Sequence, residues 1–314
     1  EYKVYLPKGR FALGSSPSGT ITADATQGAT LADRTAAQLF EAVLLFAGVA
    51  GGDILASDIT TLDTQNAAEC GLYVSDVISV ATVLDMLAET VGAWWGVNAA
   101  GEYRIVRLDR PMGTAALSFE ANDLIGPPIR QSTADPERGL PAYSVVVRYA
   151  RNYTVQTTDL AGSVAADRRA FLAEEWREAT ATDTSVQTVH LLAAVLQYTS
   201  LFIDSADALA EASRRLLLRA VQRHRFDIRV AFDSETATLD LGDIVGLRHP
   251  RFNLDIKGSD EGQLFVVIGV EPNALDRDIR FTLWGNSFTT FNLVSSIGEF
   301  LVASDGSYLI TGAY

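Results

Sequence analysis

Strand-like and helix-like stretches fall in separate blocks along this chain instead of alternating, and that segregation decides its fold class. At least nine β-prone runs and three amphipathic helices are legible. Regular βαβα alternation would predict a doubly wound parallel sheet, whereas segregated blocks predict α+β. The first helix is expected over Arg34–Gly48, capped by Thr30 or Asp33. Its buried face is read from Leu39, Val43, Leu44 and Phe46, and Gly48 ends it. The second starts after Ser79, carries the stripe Val83, Leu84, Leu87 and Val91, and stops at Gly92. The third, Ala206–Arg223, is capped by Asp204 or Ser205, with Leu209, Ala212 and Leu216 defining its faces. Arg214, Arg215 and Arg219 sit late in it, where cations suit the helix dipole.

Residues 1–19 read as a strand or extended arm followed by a Gly/Ser/Pro turn cluster. Residues 20–111 read as a small α+β module. It closes on two β-prone runs, Trp94–Val97 and Tyr103–Leu108, around a glycine-containing loop, which is a hairpin pattern. Residues 112–285 form a β-rich unit with one long helix. Within it, Thr114–Phe119, Tyr143–Tyr153, Phe226–Phe232, Leu239–Leu247, Leu264–Val270 and Ile279–Trp284 are strand-like, and Val145, Val147 and Tyr149 share one side. Ile125–Pro141, with four prolines and two glycines, reads as loop, and so does Thr154–Ala166. Arg168–Ala181 fits helix by propensity and strand by alternation, with strand favoured for its latter half. Residues 286–314 predict a C-terminal β-hairpin tail through Asp305-Gly306.

The 314 residues carry 25 basic and 39 acidic side chains, a net charge of −14. Sequence-independent nucleic-acid binding needs basic surface, so the balance argues against it. Apolar runs such as Ala42–Ala50 and Val91–Ala100 fall short of the roughly 20 residues of a membrane helix, so no integral membrane segment is expected. The single Cys70 excludes an intramolecular disulfide framework and cysteine-based zinc sites. The chain begins with Glu1 rather than Met, as expected of a fragment or a processed product, and shows no signal-peptide pattern.

No catalytic, cofactor-binding or metal-ligating residue is nominated, and no cofactor is expected. Gly9–Ser16 has phosphate-loop spacing without its lysine. Cys70 lacks a nearby base and reads as a small buried thiol. His190, His224 and His249 are scattered. The carboxylate pairs Glu174-Glu175 and Asp260-Glu261 are too common a pattern to imply acid–base chemistry, and Asp255–Glu261 breaks the calcium-loop pattern at Lys257. Asn152-Tyr153-Thr154 matches a glycosylation acceptor by chance. The arginine run Arg214–Arg225 reads mainly as a solvated helix end.

Several segments in order carry a resemblance. They are the helix Ala206–Arg215, the strand start His224–Ile228, Leu239–Leu247 with His249-Pro250-Arg251-Phe252 after it, Gly262–Gly269 and Ile279–Trp284. Ser16–Asp24, Gly71–Asp76, Val91–Asn98 and Gly101–Ile105 extend it into the first half. In the middle of the set, Leu241-Gly242-Asp243 makes a tight turn before a strand that delivers Val245 and Leu247 inward. Across roughly residues 15–285 the chain resembles tail-tip or baseplate hub proteins of long-tailed bacteriophages and related gene transfer agents. The resemblance implies β-barrel-like hub domains with an inserted small α+β module. It implies a non-enzymatic structural protein of the virion tail tip, assembled in the host bacterial cytoplasm. Three chains would form a ring joining the tail tube to the tip or central fibre. The implied partners are two further copies in a homotrimer, the distal tail protein, the tape-measure protein and tail-tip or fibre proteins, with DNA passing through unbound. Family members are commonly longer, so this chain is expected to be a short member or a part of one.

Subunit contacts are expected along the β segments 143–153, 226–232 and 264–284, where barrel edges would pair between subunits. Part of the −14 charge is expected to face the lumen and repel DNA. Two alternatives stay open. One is a tail-associated cell-wall or polysaccharide hydrolase, which needs two carboxylates about 5–9.5 Å apart in a cleft. The other is a carbohydrate-binding module stacking sugars on Trp94, Trp95, Trp176 and Trp284.

Overall fold

The computed structural model describes residues 2–5, 10–15, 22–26, 28, 30–98, 100–131, 140–158, 160–221, 223–252, 254, 262–285, 291–292 and 310–311. The fold is α+β. Its helices are α1 (Ala36–Phe46), α2 (Ala56–Gln65), α3 (Val80–Val91), α4 (Ala166–Ala173), α5 (Ser185–Val189) and α6 (Ser205–Arg219).

Local sequence chemistry explains the best-defined elements. Ser79 accepts a hydrogen bond from the Thr82 amide and caps α3, and Gly92 ends that helix at φ +64. The hairpin follows at once as β3 (Ala93–Val97) and β4 (Tyr103–Arg107), paired Trp95 to Ile105. Helix α1 begins after Thr35, which caps it through the Gln38 amide. The buried face of α1 is Ala36, Ala37, Phe40 and Leu44. This corrects the expected face, because Phe46 is 91% exposed. Helix α1 turns Phe40 onto the edge of Trp95, with ring centres 6.4 Å apart. Helix α2, with Ile59 and Leu62 buried, was not anticipated.

A three-stranded sheet is ordered β8 (Arg177–Thr182), β7 (Ala142–Tyr149), β9 (Ala194–Thr199), with β8 antiparallel and β9 parallel to β7. Helix α6 lies on this sheet. Ala208 and Ala212, fully buried four residues apart, let its backbone approach closely. The ambiguous stretch 168–181 resolves as α4 followed by β8.

The larger sheet has six strands in the order β5 (Leu117–Phe119), β11 (Ile244–Leu247), β12 (Gln263–Asn273), β13 (Asp278–Gly285), β10 (His224–Ala231), β6 (Ile129–Arg130). Its outer strands β5 and β6 do not pair with each other, so the sheet is open and no barrel closes among the described residues. Val245 and Leu247 are fully buried, as the Leu-Gly-Asp turn implied. Each buried side chain of that size is worth roughly 1.5–3 kcal/mol. The segments 143–153, 226–232 and 264–284 supply β7, β10, β12 and β13, and each of these strands has a neighbour on both sides. Strand β11 pairs only with Gln263–Val266 of β12, so among the described residues the rest of that edge of β12 has no strand beside it. Among the described residues, the outer strands of the three-stranded sheet, β8 and β9, each have one edge without a paired strand.

Two large apolar clusters organise these elements. One joins α1, α2, α3 and Ile105 to Val145, Val147, Leu196, Phe202 and α6. The other fills one face of the six-stranded sheet with Phe119, Phe226, Val245, Phe265, Phe281 and Leu283. The chain after residue 112 thus enters the second cluster, returns to the first, and finishes in the second. Near the ends, β1 (Tyr2–Tyr5) pairs with β2 (Arg10–Leu13), and β14 (Phe291–Asn292) pairs with β15 (Ile310–Thr311). Asp305-Gly306 lies outside the described residues.

Candidate functional site: an arginine junction beside a cleft

The densest polar constellation lies where α6 meets the end of α3. Glu211, Arg214 and Arg215 fall at helical spacing, so one carboxylate can hold two guanidiniums. The Glu211 side chain is 1% exposed and accepts from Arg215 Nε at 2.6 Å and Arg214 Nη2 at 2.7 Å. Arg215 then donates to the Thr90 carbonyl at 3.1 Å and to the Glu89 carbonyl. Arg214 donates to the Val91 carbonyl at 3.0 Å, the Leu108 carbonyl at 2.9 Å and Asp109 at 2.9 Å. The last carbonyls of a helix lack intrahelical donors. Here two arginines from a distant helix supply them, and the negative end of the α3 dipole meets positive charge. Burial works against ionising Glu211, but the two guanidiniums outweigh it and hold its pKa below the usual glutamate value.

A second constellation joins β4 to the turn before β11. Arg104 bonds Asp58 of α2 at 3.0 Å and Asp240 at 2.9 Å. Desolvation raises the pKa of Asp58 despite the arginine. Gly242, at φ +93, lies so close to β4 that a Cβ there would be 2.8 Å from Val106 Cγ1. Glycine thus serves both the turn and the close approach.

Beside the first constellation lies an open cleft of about 630 Å³, lined by Asp85, Glu89, Trp94, Trp95, Tyr198 and Arg219 among others. Asp85 and Glu89 are its carboxylates, exposed on one face of α3, and Asp85 accepts from Trp95 Nε1 at 2.7 Å. The carboxyls whose pKa is raised, Asp58 and Asp207, do not line it.

The residues weighed from sequence do not come together. Cys70 is buried, and desolvation pushes its thiol up to about 12. His224 is buried, and desolvation followed by Arg130 lowers its pKa to about 4. His190 and His249 are half-buried on separate turns. Glu174 and Glu175 are exposed, with Glu175 paired to Arg151 at 2.9 Å. Asn152 donates to the Leu172 carbonyl at 3.0 Å. Residues 255–261 lie outside the described residues, and of Gly9–Ser16 so do Gly9 and Ser16, while Arg10–Leu13 form β2. The arginine run is not a solvated helix end, because Arg215, Arg223 and His224 are buried. Desolvation, then Arg110 and Arg219, lower the Arg223 pKa to about 10. Three of the four tryptophans carry the chain's own arginines over their rings: Trp94 has Arg104, Trp176 has Arg151, and Trp284 has Arg219 and Arg223. Among the described residues no group of three or more His, Cys, Asp or Glu side chains is placed to hold a metal ion, and no helix is long and apolar enough to cross a membrane.

Glu211, Asp109, Arg104, Asp58 and Asp240 were missed from sequence. The Glu211-x-x-Arg214-Arg215 spacing was the one available signal, since the other partners lie 46 to 136 residues apart.

No protein-family model matches the chain, and no curated protein does. Solved structures do. A chain from the virion of a native gene transfer agent particle is 17% identical, with TM-score 0.48, over 83% of this chain and 50% of that one. The 43 kDa tail protein of prophage MuSo2 from Shewanella oneidensis is 12% identical, with TM-score 0.44, over 80% and 66%. A tail protein from Neisseria meningitidis MC58 is 10% identical, with TM-score 0.43, over 69% and 59%. The chain spans half the length of the first of these. The structures it is similar to are two tail proteins, one of them from a prophage, and a component of a gene transfer agent particle.

Proposed function

We propose that the chain is a structural component of a phage-type tail, forming a trimeric ring at the tail tip or baseplate hub and joining the tube to the tip or fibre. The observation that carries this reading is the destination of the buried charges. Arg214, Arg215 and Arg104 are turned onto backbone carbonyls and carboxylates of distant segments, and Glu211 holds the first two in place. They join parts of the fold and do not converge on a reacting group. Such cross-ties suit a protein that transmits load between neighbours. The ordered motifs from Ala206 to Trp284 support the same reading, and the turn that delivers Val245 and Leu247 inward lies in the middle of that set.

Subunit contacts are assigned to the free edges of β8 and β9. The ring would contact distal tail and tape-measure proteins on its two faces and pass DNA through an acidic lumen. A ring with a neutral or basic lumen would sink the lumen assignment. The hydrolase reading lacks a pair of carboxylates facing each other across the cleft, and Asp85 is already bonded to Trp95.

Light scattering on the purified chain tests the proposal. Three copies of the 33.8 kDa chain give a mass of about 101 kDa. A single-chain mass at every concentration, together with release of sugar or peptide from cell walls, would favour the hydrolase.

A further inference from the structure

The hairpin of β12 and β13 ends in a preorganised tip. Asn273 and Asp278 are its last paired residues, and residues 274–277 make the turn. Asn273 Oδ1 accepts from the Leu275 amide at 3.1 Å, and its Nδ2 donates to Asp276 at 2.8 Å, so the Asp276 carboxylate is held within the turn. The Phe232 amide donates to the Arg277 carbonyl at 2.9 Å and ties the tip to the end of β10. The surface fixed in this way is apolar around one cation. Leu275 is 95% exposed and Phe232 52%, and Arg277 is exposed beside them. Arg277 stands at φ +54, in the left-handed region that glycine or asparagine enters at lower cost. An arginine held there points to a use for its side chain.

The cleft beside α3 has the complementary character. Asp85 and Glu89 line it from one face of the helix, one turn apart and both exposed, while Trp95, Leu108 and Tyr198 give it apolar walls. Asp85 accepts from Trp95 Nε1, and neither carboxylate is in an ion pair among the described residues. The tip cannot reach the cleft of its own chain. Leu108 and Leu218 of the cleft wall pack with Trp284. Trp284 lies six residues along β13 from Asp278, which is roughly 20 Å of strand at about 3.3 Å per residue. Tip and cleft are thus at opposite ends of β13.

We propose that the β12–β13 tip of one copy enters the α3 cleft of a second copy, with Leu275 against the aromatic wall and Arg277 between Asp85 and Glu89. Shape and charge both select this occupant: a projecting turn with one cation and exposed apolar side chains meets a recess with two carboxylates and aromatic walls. The contact lies within the homotrimer proposed above and rests on that reading only in requiring copies to associate. A tip at one end and its receiving cleft at the other make a head-to-tail contact, the kind that closes rings.

Mixed cross-linking of full-length chains tests it. A Leu275→Cys chain is mixed with a size-tagged Glu89→Cys chain under mild oxidation, while buried Cys70 stays inert. Asp85 remains in the cleft to hold Arg277. Docking brings the two thiols to millimolar effective concentration. The expected yield of mixed disulfide is about tenfold above that of a control pairing Leu275→Cys with Val77→Cys, an exposed site elsewhere. Arg277→Gly in the Leu275→Cys chain removes the cation and relieves the left-handed backbone, so the denaturant midpoint should hold or rise while the yield falls severalfold. Yield equal to the control overturns the inference. So does a yield that Arg277→Gly leaves unchanged, or a disulfide formed only within one chain of a Leu275→Cys/Glu89→Cys double variant. A trimer that forms with control-level cross-linking removes this contact and leaves the hub reading standing. Strong cross-linking in chains that never close into trimers does the reverse.

Discussion

The Arg214 guanidinium lies directly over Gly92, so that a Cβ on the glycine would sit 2.5 Å from Arg214 Nη2. The residue that ends α3 therefore also makes room for the arginine that caps it. Gly92→Ala should lower stability by about 1–2 kcal/mol from the left-handed backbone alone, plus the displacement of Arg214. Denaturant midpoints would show this. An unchanged midpoint would mean that the arginine does not bind the helix end.

Glu211 holds both arginines, so removing its charge leaves Arg215 without a carboxylate and Arg214 with Asp109 alone. Glu211→Gln should cost about 3–5 kcal/mol, as for one partner lost from a buried ion pair. The native pKa of Glu211 is depressed below its unfolded value. Its contribution is therefore complete above the unfolded glutamate pKa and is lost as pH falls through the native one. The wild-type chain should lose stability steeply below about pH 4.3, and the variant should lose less over that range. Parallel acid-limb profiles would contradict the assignment.

His224 titrates in a separate window. Its native pKa, about 4, lies below the unfolded value. The unfolded chain thus binds the proton first, and stability is full above about pH 6.5 and declines toward pH 4 by at most about 1.4 kcal/mol per pH unit. Urea midpoints between pH 7 and 5 should fall in the wild type and stay flatter in His224→Gln. Equal slopes would count against a buried neutral imidazole.

Gly242 and Val106 should be coupled. Gly242→Ala forces a Cβ to 2.8 Å from Val106 Cγ1 and strains a residue at φ +93. Adding Val106→Ala removes the contact but not the backbone strain. The double variant should therefore be more stable than additivity predicts, by about 0.5–3 kcal/mol. Strict additivity would show that the turn and β4 do not touch.

What was legible in the sequence was local. Ser79 and Gly92 bracket α3, and the Leu241-Gly242-Asp243 turn points Val245 and Leu247 inward, because each depends on residues a few positions apart. Strand β9 was invisible. Its Ala-Val-Leu-Gln-Tyr-Thr run follows Leu191-Leu192 without clear alternation, and its parallel partner β7 lies some fifty residues earlier. The α1 face was misjudged because Phe46 continues an apolar spacing that the tertiary contacts do not use. The arginine junction was hidden for the same reason as β9, since Arg215 and Thr90 are 125 residues apart.

Class-averaged electron microscopy of the purified protein is the decisive experiment for the proposed ring of three chains. Threefold particles with a central opening are expected. Uniform particles of single-chain size, at concentrations where light scattering finds no larger species, would contradict it.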